Sequence, residues 1–333
     1  MVHLASNENP LGCSPFVAKA LTAAFSEIHR YPRGGHRVRN KLADFYSTHT
    51  QNLIVGNGSD SILVNILRTF LCPGDEVLAS ESTFSGFRVA AASVGVPYRA
   101  VPYRDWHIDL AGMAKAVNER TKIIYLPNPN NPTGTTFTRD EFEPFHRQVP
   151  EDRLIVLDEA YYEYAAGSED YPDSLHYRYD NVVTLRTFSK AYGLAGLRIG
   201  YGLADSRIID QLLKVKLPFE PNVLAEAATL AALDDQAFVA RTVALNRTSR
   251  QFLTESMRSL GYNVVASRGN FVMVIFPEGI AAETFRDALY RSGIQVRHLG
   301  AFGIPQGVRI STGTQAEMEA CASAAADARH CLK

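Results

Sequence analysis

The sequence predicts an α/β fold with a large, doubly wound and mainly parallel sheet domain and a smaller α+β domain. In the first part of the chain, short apolar runs alternate with helical patterns, which is typical of α/β proteins. The runs are continuously apolar rather than alternating, as expected for parallel strands covered by helices on both faces. After residue 235 the order of helices and strands changes, which indicates a second domain.

The large domain is predicted to cover residues 30–235. Its strand candidates are short, nearly continuous apolar runs at 53–55, 76–79, 122–126, 154–157 and 182–185. Apolar residues recur at three- and four-residue spacing over 62–71, which predicts a helix. The sequence Cys72-Pro73-Gly74-Asp75 then ends that helix.

The smaller domain is predicted to combine residues 1–29 with residues 236–333. A helical pattern at 235–260 precedes a strand at 270–276, a helix at 281–292, strands at 294–297 and 307–311, and a closing alanine-rich helix. The N-terminal segment has too little apolar surface to stand alone, so we expect it to join this domain.

The composition excludes several classes of function. The 333 residues include 34 basic and 35 acidic side chains, a net charge of −1, which gives no long-range attraction to nucleic acid or anionic membranes. Cys13, Cys72, Cys321 and Cys331 form no C-x-x-C pair, and no metal-binding motif occurs. The sequence shows no signal peptide and no transmembrane run. We therefore expect a metal-free cytoplasmic protein with reduced thiols.

Polar residues follow the predicted parallel strands, at the edge of the sheet where ligands bind in α/β folds. They are Ser59 and Asp60 after 53–55, Asn131 after 122–126, Asp158 and Tyr161 after 154–157, and Thr187, Ser189, Lys190 and Arg198 after 182–185. Each alone has an ordinary explanation, such as a turn, a helix cap or a solvated lysine. Their combination at successive strand ends predicts a binding site.

This combination suits pyridoxal phosphate. A lysine forms the Schiff base, and an aspartate keeps the pyridine nitrogen protonated so that the ring accepts electrons. A helix N-terminus, hydroxyl groups and an arginine hold the phosphate.

Three motifs resemble the signatures of fold-type I, class I/II aminotransferases, which depend on pyridoxal phosphate. They are Asn130-Asn131-Pro132-Thr133-Gly134, Asp158-Glu159-Ala160-Tyr161 and the stretch from Ser189 to Gly200. Within that superfamily the chain is most similar to histidinol-phosphate aminotransferases and related aromatic aminotransferases. The similarity rests on the stretch Ser6 to Gly12, on Arg30-Tyr31-Pro32, on Val296-Arg297 and on the stretch Gly307 to Thr314.

The resemblance implies a role for each matching residue. Lys190 would form the Schiff base and transfer the proton, Asp158 would pair with the pyridinium nitrogen, and Asn131 and Tyr161 would bind the ring 3-oxygen. The phosphate would be held by Ser59, Asp60, Ser189, Arg198 and, as a helper, Thr187. Phe84 would stack on the ring.

The resemblance also implies substrate contacts and an oligomeric state. Arg309 would bind the acidic group of the substrate, and Arg297 would face the distal end of the pocket. Asn9 and Asn131 are also expected to bind the substrate. Tyr31 would reach the cofactor phosphate of a neighbouring subunit, which implies a homodimer with shared active sites.

One departure bears on the substrate. Histidinol-phosphate aminotransferases usually carry a longer segment before the Asn-Glu-Asn-Pro motif, with a tyrosine that helps to bind the substrate phosphate. Only Met1 to Ala5 precede Ser6 here. We expect an aminotransferase acting on histidinol phosphate or on an aromatic 2-oxo acid, with glutamate or 2-oxoglutarate as partner. A decarboxylase of phosphorylated amino acids or a cyclase of the same fold is the alternative.

Overall fold

A computed structural model of the chain describes residues 1–168, 170–176 and 179–329. Three of the four cysteines, Cys13, Cys72 and Cys321, are free thiols. The fourth, Cys331, lies outside the described residues.

The described residues form strands and helices in alternation. The strands are β1 (Val2–His3), β2 (Leu53–Gly56), β3 (Glu76–Ser80), β4 (Tyr98–Val101), β5 (Tyr103–Arg104), β6 (His107–Ile108), β7 (Thr121–Pro127), β8 (Leu154–Asp158), β9 (Val182–Thr187), β10 (Gly200–Leu203), β11 (Asn263–Val265), β12 (Phe271–Ile275), β13 (Ile294–Gln295), β14 (Arg297–His298) and β15 (Gly307–Ser311). The α-helices are α1 (Pro15–Ala24), α2 (His36–Phe45), α3 (Gly58–Phe70), α4 (Ser85–Ser93), α5 (Leu110–Ala116), α6 (Arg139–Gln148), α7 (Tyr162–Ala165), α8 (Ser206–Val215), α9 (Val223–Asp234), α10 (Gln236–Ser259), α11 (Gly279–Arg291) and α12 (Gln315–Ala328).

The large sheet has seven strands in the order β2-β10-β9-β8-β7-β3-β4. The pairs β3–β4, β3–β7, β7–β8 and β8–β9 are parallel. Every residue of β3, β8 and β9 is buried, because the sheet is covered on both faces. The α/β fold class is confirmed, and each of the five predicted strands of this sheet is present.

Two strands of the large sheet were not predicted. The strand β10 is inserted between β2 and β9 and runs antiparallel to both. It carries Gly200 and Gly202, and glycine lowers strand propensity, so the sequence gives a weak signal. The strand β4 lies at the edge of the sheet and exposes Arg99 and Ala100, so it lacks the continuous apolar pattern of a buried strand.

A four-stranded antiparallel sheet forms the second layer, in the order β11-β12-β15-β14. The helices α10, α11 and α12 pack against it around a separate hydrophobic cluster. The strand β1 pairs with β13 next to this layer, whereas Val17 of α1 is buried in the core of the large sheet. The N-terminal segment thus contacts both layers, and the division into two domains stays a prediction.

The helices of the described residues give no membrane-spanning segment, since none is both long enough and apolar enough. The longest, α10, has 24 residues but includes several arginines. Within the same residues, no group of three or more His, Cys, Asp or Glu side chains is arranged to hold a metal ion.

Candidate active site

A cavity of about 450 Å³ lies at the carboxyl ends of the parallel strands, within the size range of small-molecule sites. The connections from β3 lead outward to β4 and then back to β7, so this is where strand order reverses. Twelve of the fourteen residues predicted for the site line the cavity: Ser59, Asp60, Phe84, Asn131, Asp158, Tyr161, Thr187, Ser189, Lys190, Arg198, Arg297 and Arg309. The predicted convergence of strand ends therefore occurs.

The N-terminus of α3 forms one wall of the cavity. Its first N–H groups have no acceptor within the helix and are free to bind an anion. Gly200 of the neighbouring strand allows the close approach, because a Cβ atom there would lie 2.4 Å from the Ser59 nitrogen. Gly58 has a φ of 78°, a conformation that glycine adopts without strain.

A group of hydroxyls and one guanidinium lies next to this helix start. Arg198 Nη2 donates to Asp60 Oδ2 at 3.0 Å, and Arg198 Nη1 donates to Ser189 Oγ at 3.4 Å. The Thr187 hydroxyl donates to Ser189 Oγ at 3.0 Å. A cation, two hydroxyls and a helix N-terminus together match the chemistry of a phosphate group.

Asp158 is a buried carboxylate at the end of β8. The Tyr125 hydroxyl donates to Asp158 Oδ2 at 2.5 Å, and the Ala160 N–H donates to Oδ1 at 3.2 Å. No basic side chain of the described residues pairs with it. Burial therefore raises the pKa of Asp158 to about 6, opposed by the Tyr125 hydrogen bond and assisted by the nearby charge of Asp60.

Lys190 is half-buried in the loop after β9. Its Nζ donates to the Ser6 carbonyl at 3.2 Å. Burial, and next the positive charge of Arg309, lower the pKa of Lys190 to about 8. A larger fraction of this amine is neutral near pH 7 than for an exposed lysine, which makes it a better nucleophile and base.

Two arginines face the same cavity from the smaller sheet. Arg297 and Arg309 are directly opposite each other on β14 and β15. Arg309 Nη1 donates to Asn131 Oδ1, and Nη2 donates to the Ala5 carbonyl at 2.7 Å. The Nε of Arg309 has no hydrogen-bond partner among the described residues. Burial lowers the pKa of Arg309 to about 10, and Arg297 contributes to this lowering. Like charges placed this way are unfavourable unless an anion lies between them.

Tyr161 lies at the start of α7 with its ring packed edge-on against Phe271. Its hydroxyl accepts a hydrogen bond from Asn7 Nδ2 at 2.9 Å. Burial raises the pKa of this phenol, so it is protonated at neutral pH. The Lys190 Nζ lies 5.9 Å from the ring centroid of Tyr161.

Phe84 also lines the cavity, as predicted. It caps α4, and its ring lies over Gly86, where a Cβ atom would come within 2.4 Å of the Phe84 ring. A larger residue at 86 would therefore displace the ring from the cavity wall.

Two predicted residues do not line this cavity. The side chain of Asn9 is used internally, since it donates to the Ala191 carbonyl at 2.9 Å and to Thr242 Oγ1 at 3.1 Å and accepts from the Leu11 N–H. Tyr31 is 78% exposed and stacks on Phe219 at the surface of its own chain.

Sequence reasoning missed several cavity residues. They are Ser6, Asn7, Tyr125, His298 and Phe302. Tyr125 lies inside β7, where a tyrosine is indistinguishable from a core residue. Asn7 lies in the stretch Ser6 to Gly12 that resembles the family motif, but no spacing in the sequence indicates that it contacts Tyr161.

Comparisons with known proteins agree with this geometry. Residues 1–324 match the family described as aminotransferase class I and II. A histidinol-phosphate aminotransferase of Anaeromyxobacter sp. (strain Fw109-5) is 43% identical over 325 residues, covering 96% of this chain and 89% of that protein.

Solved structures share the whole fold. The histidinol-phosphate aminotransferase of Sinorhizobium meliloti, in complex with pyridoxal 5'-phosphate, matches with a TM-score of 0.94 and 32% identity, covering 100% of this chain and 92% of that one. An L-threonine-O-3-phosphate decarboxylase of Porphyromonas gingivalis matches with a TM-score of 0.84 and 25% identity, covering 97% of this chain and 98% of that one. The fold therefore occurs with more than one reaction.

Proposed function

Because the chain belongs to the family of class I and II aminotransferases, we propose that it transfers an amino group between histidinol phosphate and 2-oxoglutarate with bound pyridoxal phosphate. The observation that carries this proposal is the joint placement of Lys190, the buried carboxylate of Asp158 and the pair Arg297 and Arg309 around one cavity. An aromatic amino-acid aminotransferase and a decarboxylase or cyclase of the same fold are the alternatives.

The donor set fits pyridoxal phosphate. The start of α3, Ser189 and Arg198 suit its phosphate, and Asp158 suits a protonated pyridine nitrogen. The raised pKa of Asp158 reflects a buried charge without a basic partner among the described residues, and a bound cation would supply that partner. Bound pyridoxal phosphate supplies an electron-withdrawing ring that stabilises negative charge on the substrate carbon.

Three residues of the chain would transfer the proton, donate a hydrogen bond into the cavity and position Asp158. Lys190 would take a proton from the substrate Cα and return it, which its pKa of about 8 favours near neutral pH. Asn131 has its amide oxygen bound by Arg309, so its N–H₂ group is available to donate into the cavity. Tyr125 would keep the Asp158 carboxylate in place through their hydrogen bond.

The two arginines are the proposed binding site for the anionic end of the substrate. Planar guanidinium groups bind phosphate and carboxylate through paired, charge-assisted hydrogen bonds. Within the part of the chain that the structure describes, the hydrogen-bond partners of Arg309 are neutral, Asn131 and the Ala5 carbonyl. A substrate anion could therefore take up its unpartnered Nε–H.

A spectroscopic half-reaction tests the reaction type. The holoenzyme is mixed with histidinol phosphate, phenylalanine, glutamate or phosphothreonine, and the absorbance of the cofactor is followed. We expect histidinol phosphate and glutamate to convert the cofactor to its pyridoxamine form, as in transamination. Release of CO₂ from phosphothreonine with return of the original spectrum would favour the decarboxylase instead.

The proposal of a homodimer with shared active sites rests on Tyr31. Its exposed ring, stacked on the half-exposed Phe219, does not line the cavity of its own chain, so it is free to enter a neighbouring one. Lys190→Ala and Tyr31→Ala chains, unfolded and refolded together, should regain activity that neither variant shows alone. A mixture that stays inactive, or a fully active monomer by sedimentation, would contradict shared sites. A cytoplasmic location stays a prediction.

A further inference from the structure

A chain of buried hydrogen bonds links the smaller sheet to Tyr161. The Asn7 backbone N–H donates to Ser311 Oγ at 2.9 Å, and the Ser311 hydroxyl donates to Asn7 Oδ1 at 2.9 Å. Asn7 Nδ2 then donates to the Tyr161 hydroxyl at 2.9 Å. All three residues are at least nine-tenths buried. The link therefore lies out of bulk water, where hydrogen-bond direction is well defined.

The contacts of Ser311 fix which way the Asn7 amide points. In the observed orientation, every polar atom of this pair has a complementary partner. If the amide were reversed, Ser311 Oγ would receive hydrogen bonds from both the backbone N–H and the side-chain N–H₂ of Asn7. The Ser311 proton would then have no acceptor among the described residues. Buried polar groups without partners are unfavourable, so the observed orientation is preferred.

The orientation of Asn7 fixes the proton of Tyr161. Because Asn7 Nδ2 can only donate, the Tyr161 oxygen must accept there. No other hydrogen bond of the Tyr161 hydroxyl occurs among the described residues. Its own proton is thus free to be donated into the cavity that Tyr161 lines.

The backbone holds Asn7 in this position. Its φ is 56°, in the left-handed region that asparagine and aspartate tolerate better than other side chains with a Cβ. The Asn7 carbonyl accepts from Asn270 Nδ2 at 3.0 Å, and the Ser311 N–H donates to the Leu4 carbonyl at 2.9 Å. Asn7 and the preceding Leu4 are therefore both anchored beside the smaller sheet.

We propose that Asn7 is a positioning residue, oriented by Ser311, that directs the Tyr161 hydroxyl to donate its proton to the 3-oxygen of bound pyridoxal phosphate. The inference rests on the proposed function, because it needs that cofactor in the cavity. A hydrogen bond donated to the 3-oxygen favours its deprotonated form and so lowers the pKa at which the bound cofactor changes its absorbance.

The variant Asn7→Asp reverses the hydrogen bond. Aspartate has the same shape and tolerates the same backbone conformation, but its carboxylate accepts from Tyr161 instead of donating to it. The phenol would then donate its proton to the introduced carboxylate and no longer to the cofactor. We expect the absorbance pKa of the holoenzyme to rise, by about a tenfold change in acid dissociation constant, as for a lost hydrogen bond to a charged group. Ser311→Ala should shift the pKa in the same direction by less.

A double-mutant cycle separates this role from a structural one. Tyr161→Phe alone should raise the absorbance pKa. Asn7→Asp in the Tyr161→Phe background should add no more than about a twofold change, because the group through which Asn7 acts is gone. A full additional shift in that background would show that the aspartate acts by its charge or by distortion, and would overturn the proposal.

The readout also separates this inference from the proposed function. If the wild type binds no pyridoxal phosphate in a spectroscopic titration, the proposed function fails and the inference fails with it. If the wild type binds the cofactor but Asn7→Asp and Ser311→Ala titrate like the wild type, only the role of Asn7 is overturned. Should Asn7→Asp fail to fold, Ser311→Ala and Tyr161→Phe complete the same cycle.

Discussion

Asp158 and Glu159 are adjacent acidic residues at the end of the same strand, yet their surroundings differ. Glu159 is buried on the side away from the cavity, where Arg186 Nη2 lies 2.7 Å from its Oε2 and also contacts Asp173 at 2.9 Å. Asp158 faces the cavity, and in the described part of the chain its hydrogen-bond donors are both neutral, the Tyr125 hydroxyl and the Ala160 N–H. The charge of Glu159 is thus balanced by an arginine of the protein, whereas the charge of Asp158 is not balanced by any described residue.

The same contrast holds for the basic residues. Arg186 is fully buried between two carboxylates. Among the described residues, Lys190 and Arg309 instead donate hydrogen bonds only to carbonyl and amide oxygens and form no ion pair. Charges that are buried without a counter-charge are unfavourable in the free protein. Asp158, Lys190 and Arg309 all lie around one cavity. This arrangement fits a site whose bound ligands supply the opposite charges.

Replacing Lys190 should have the largest effect on activity. Lys190→Ala removes both the covalent attachment point and the proton carrier, so we expect turnover to fall by at least about a thousandfold. The measurement is kcat, together with binding of pyridoxal phosphate by dialysis, which should persist. Lys214→Ala, an exposed lysine on α8 that contacts Gln211, is the control. A Lys190→Ala enzyme with a tenth of normal turnover would refute the assignment.

Asp158→Asn keeps the shape of the side chain but removes its charge. The ring nitrogen would lose the group that keeps it protonated, and we expect kcat to fall by about a hundredfold or more. Folding should not be impaired, because no basic partner loses its counter-charge and the variant removes a buried negative charge. An unchanged rate would mean that Asp158 only accepts structural hydrogen bonds from Tyr125 and Ala160.

Glu159→Gln should show the opposite pattern. It leaves the fully buried Arg186 with one carboxylate fewer, and breaking a buried pair typically reduces the free energy of unfolding by about 3–5 kcal/mol. Urea denaturation measures this loss, while kcat per folded molecule should change little. If Glu159→Gln lowered kcat as much as Asp158→Asn, the distinction between the two carboxylates would be wrong.

Asp158 should also give the cofactor-free protein a distinct pH dependence. Its pKa is raised from 3.8 to about 6 in the folded state, so the folded protein binds more protons than the unfolded one between these values. Its contribution therefore makes the free energy of unfolding fall as the pH rises from about 4 to about 6. Glu159 and Glu163 also have raised pKa values and titrate in both proteins, so the comparison uses the difference between wild type and Asp158→Asn. Over this range the free energy of unfolding of the wild type should fall relative to that of Asp158→Asn. Parallel curves would contradict the raised pKa.

The residues at the cavity could be predicted from the sequence, but the residues that hydrogen-bond to them or pair with Glu159 could not. Asp158 and Lys190 directly follow apolar runs, and the carboxyl ends of parallel strands converge, so their meeting was predictable. The side chains that contact these carboxylates were not predictable. Tyr125 lies within a buried strand, and Arg186 lies within β9, where a charged residue gave no indication of a buried ion pair with Glu159. Asn7 contacts Tyr161 across more than 150 residues of sequence, a distance that no local pattern spans.

Arg297 provides the smallest and most specific test, because it should affect one substrate only. It is exposed, its Nε donates weakly to the Ala5 carbonyl at 3.4 Å, and it faces Arg309 across the strand pair. If the substrate carries a phosphate, both guanidinium groups should bind it. Arg297→Ala should then lower kcat/KM for histidinol phosphate by about tenfold. This loss is near the lower end of the free energies of hydrogen bonds to charged groups, because water screens an exposed arginine.

For phenylalanine the same variant should change kcat/KM by less than about twofold, because Arg309 binds the carboxylate and Arg297 faces an uncharged ring. Arg207→Ala, which removes an exposed arginine paired with Asp180 and Asp205 away from the cavity, controls for the loss of a surface charge. An equal loss with both substrates would place Arg297 at the carboxylate rather than at the distal group. Absence of histidinol phosphate turnover by the wild type would contradict the proposed substrate and favour the aromatic aminotransferase.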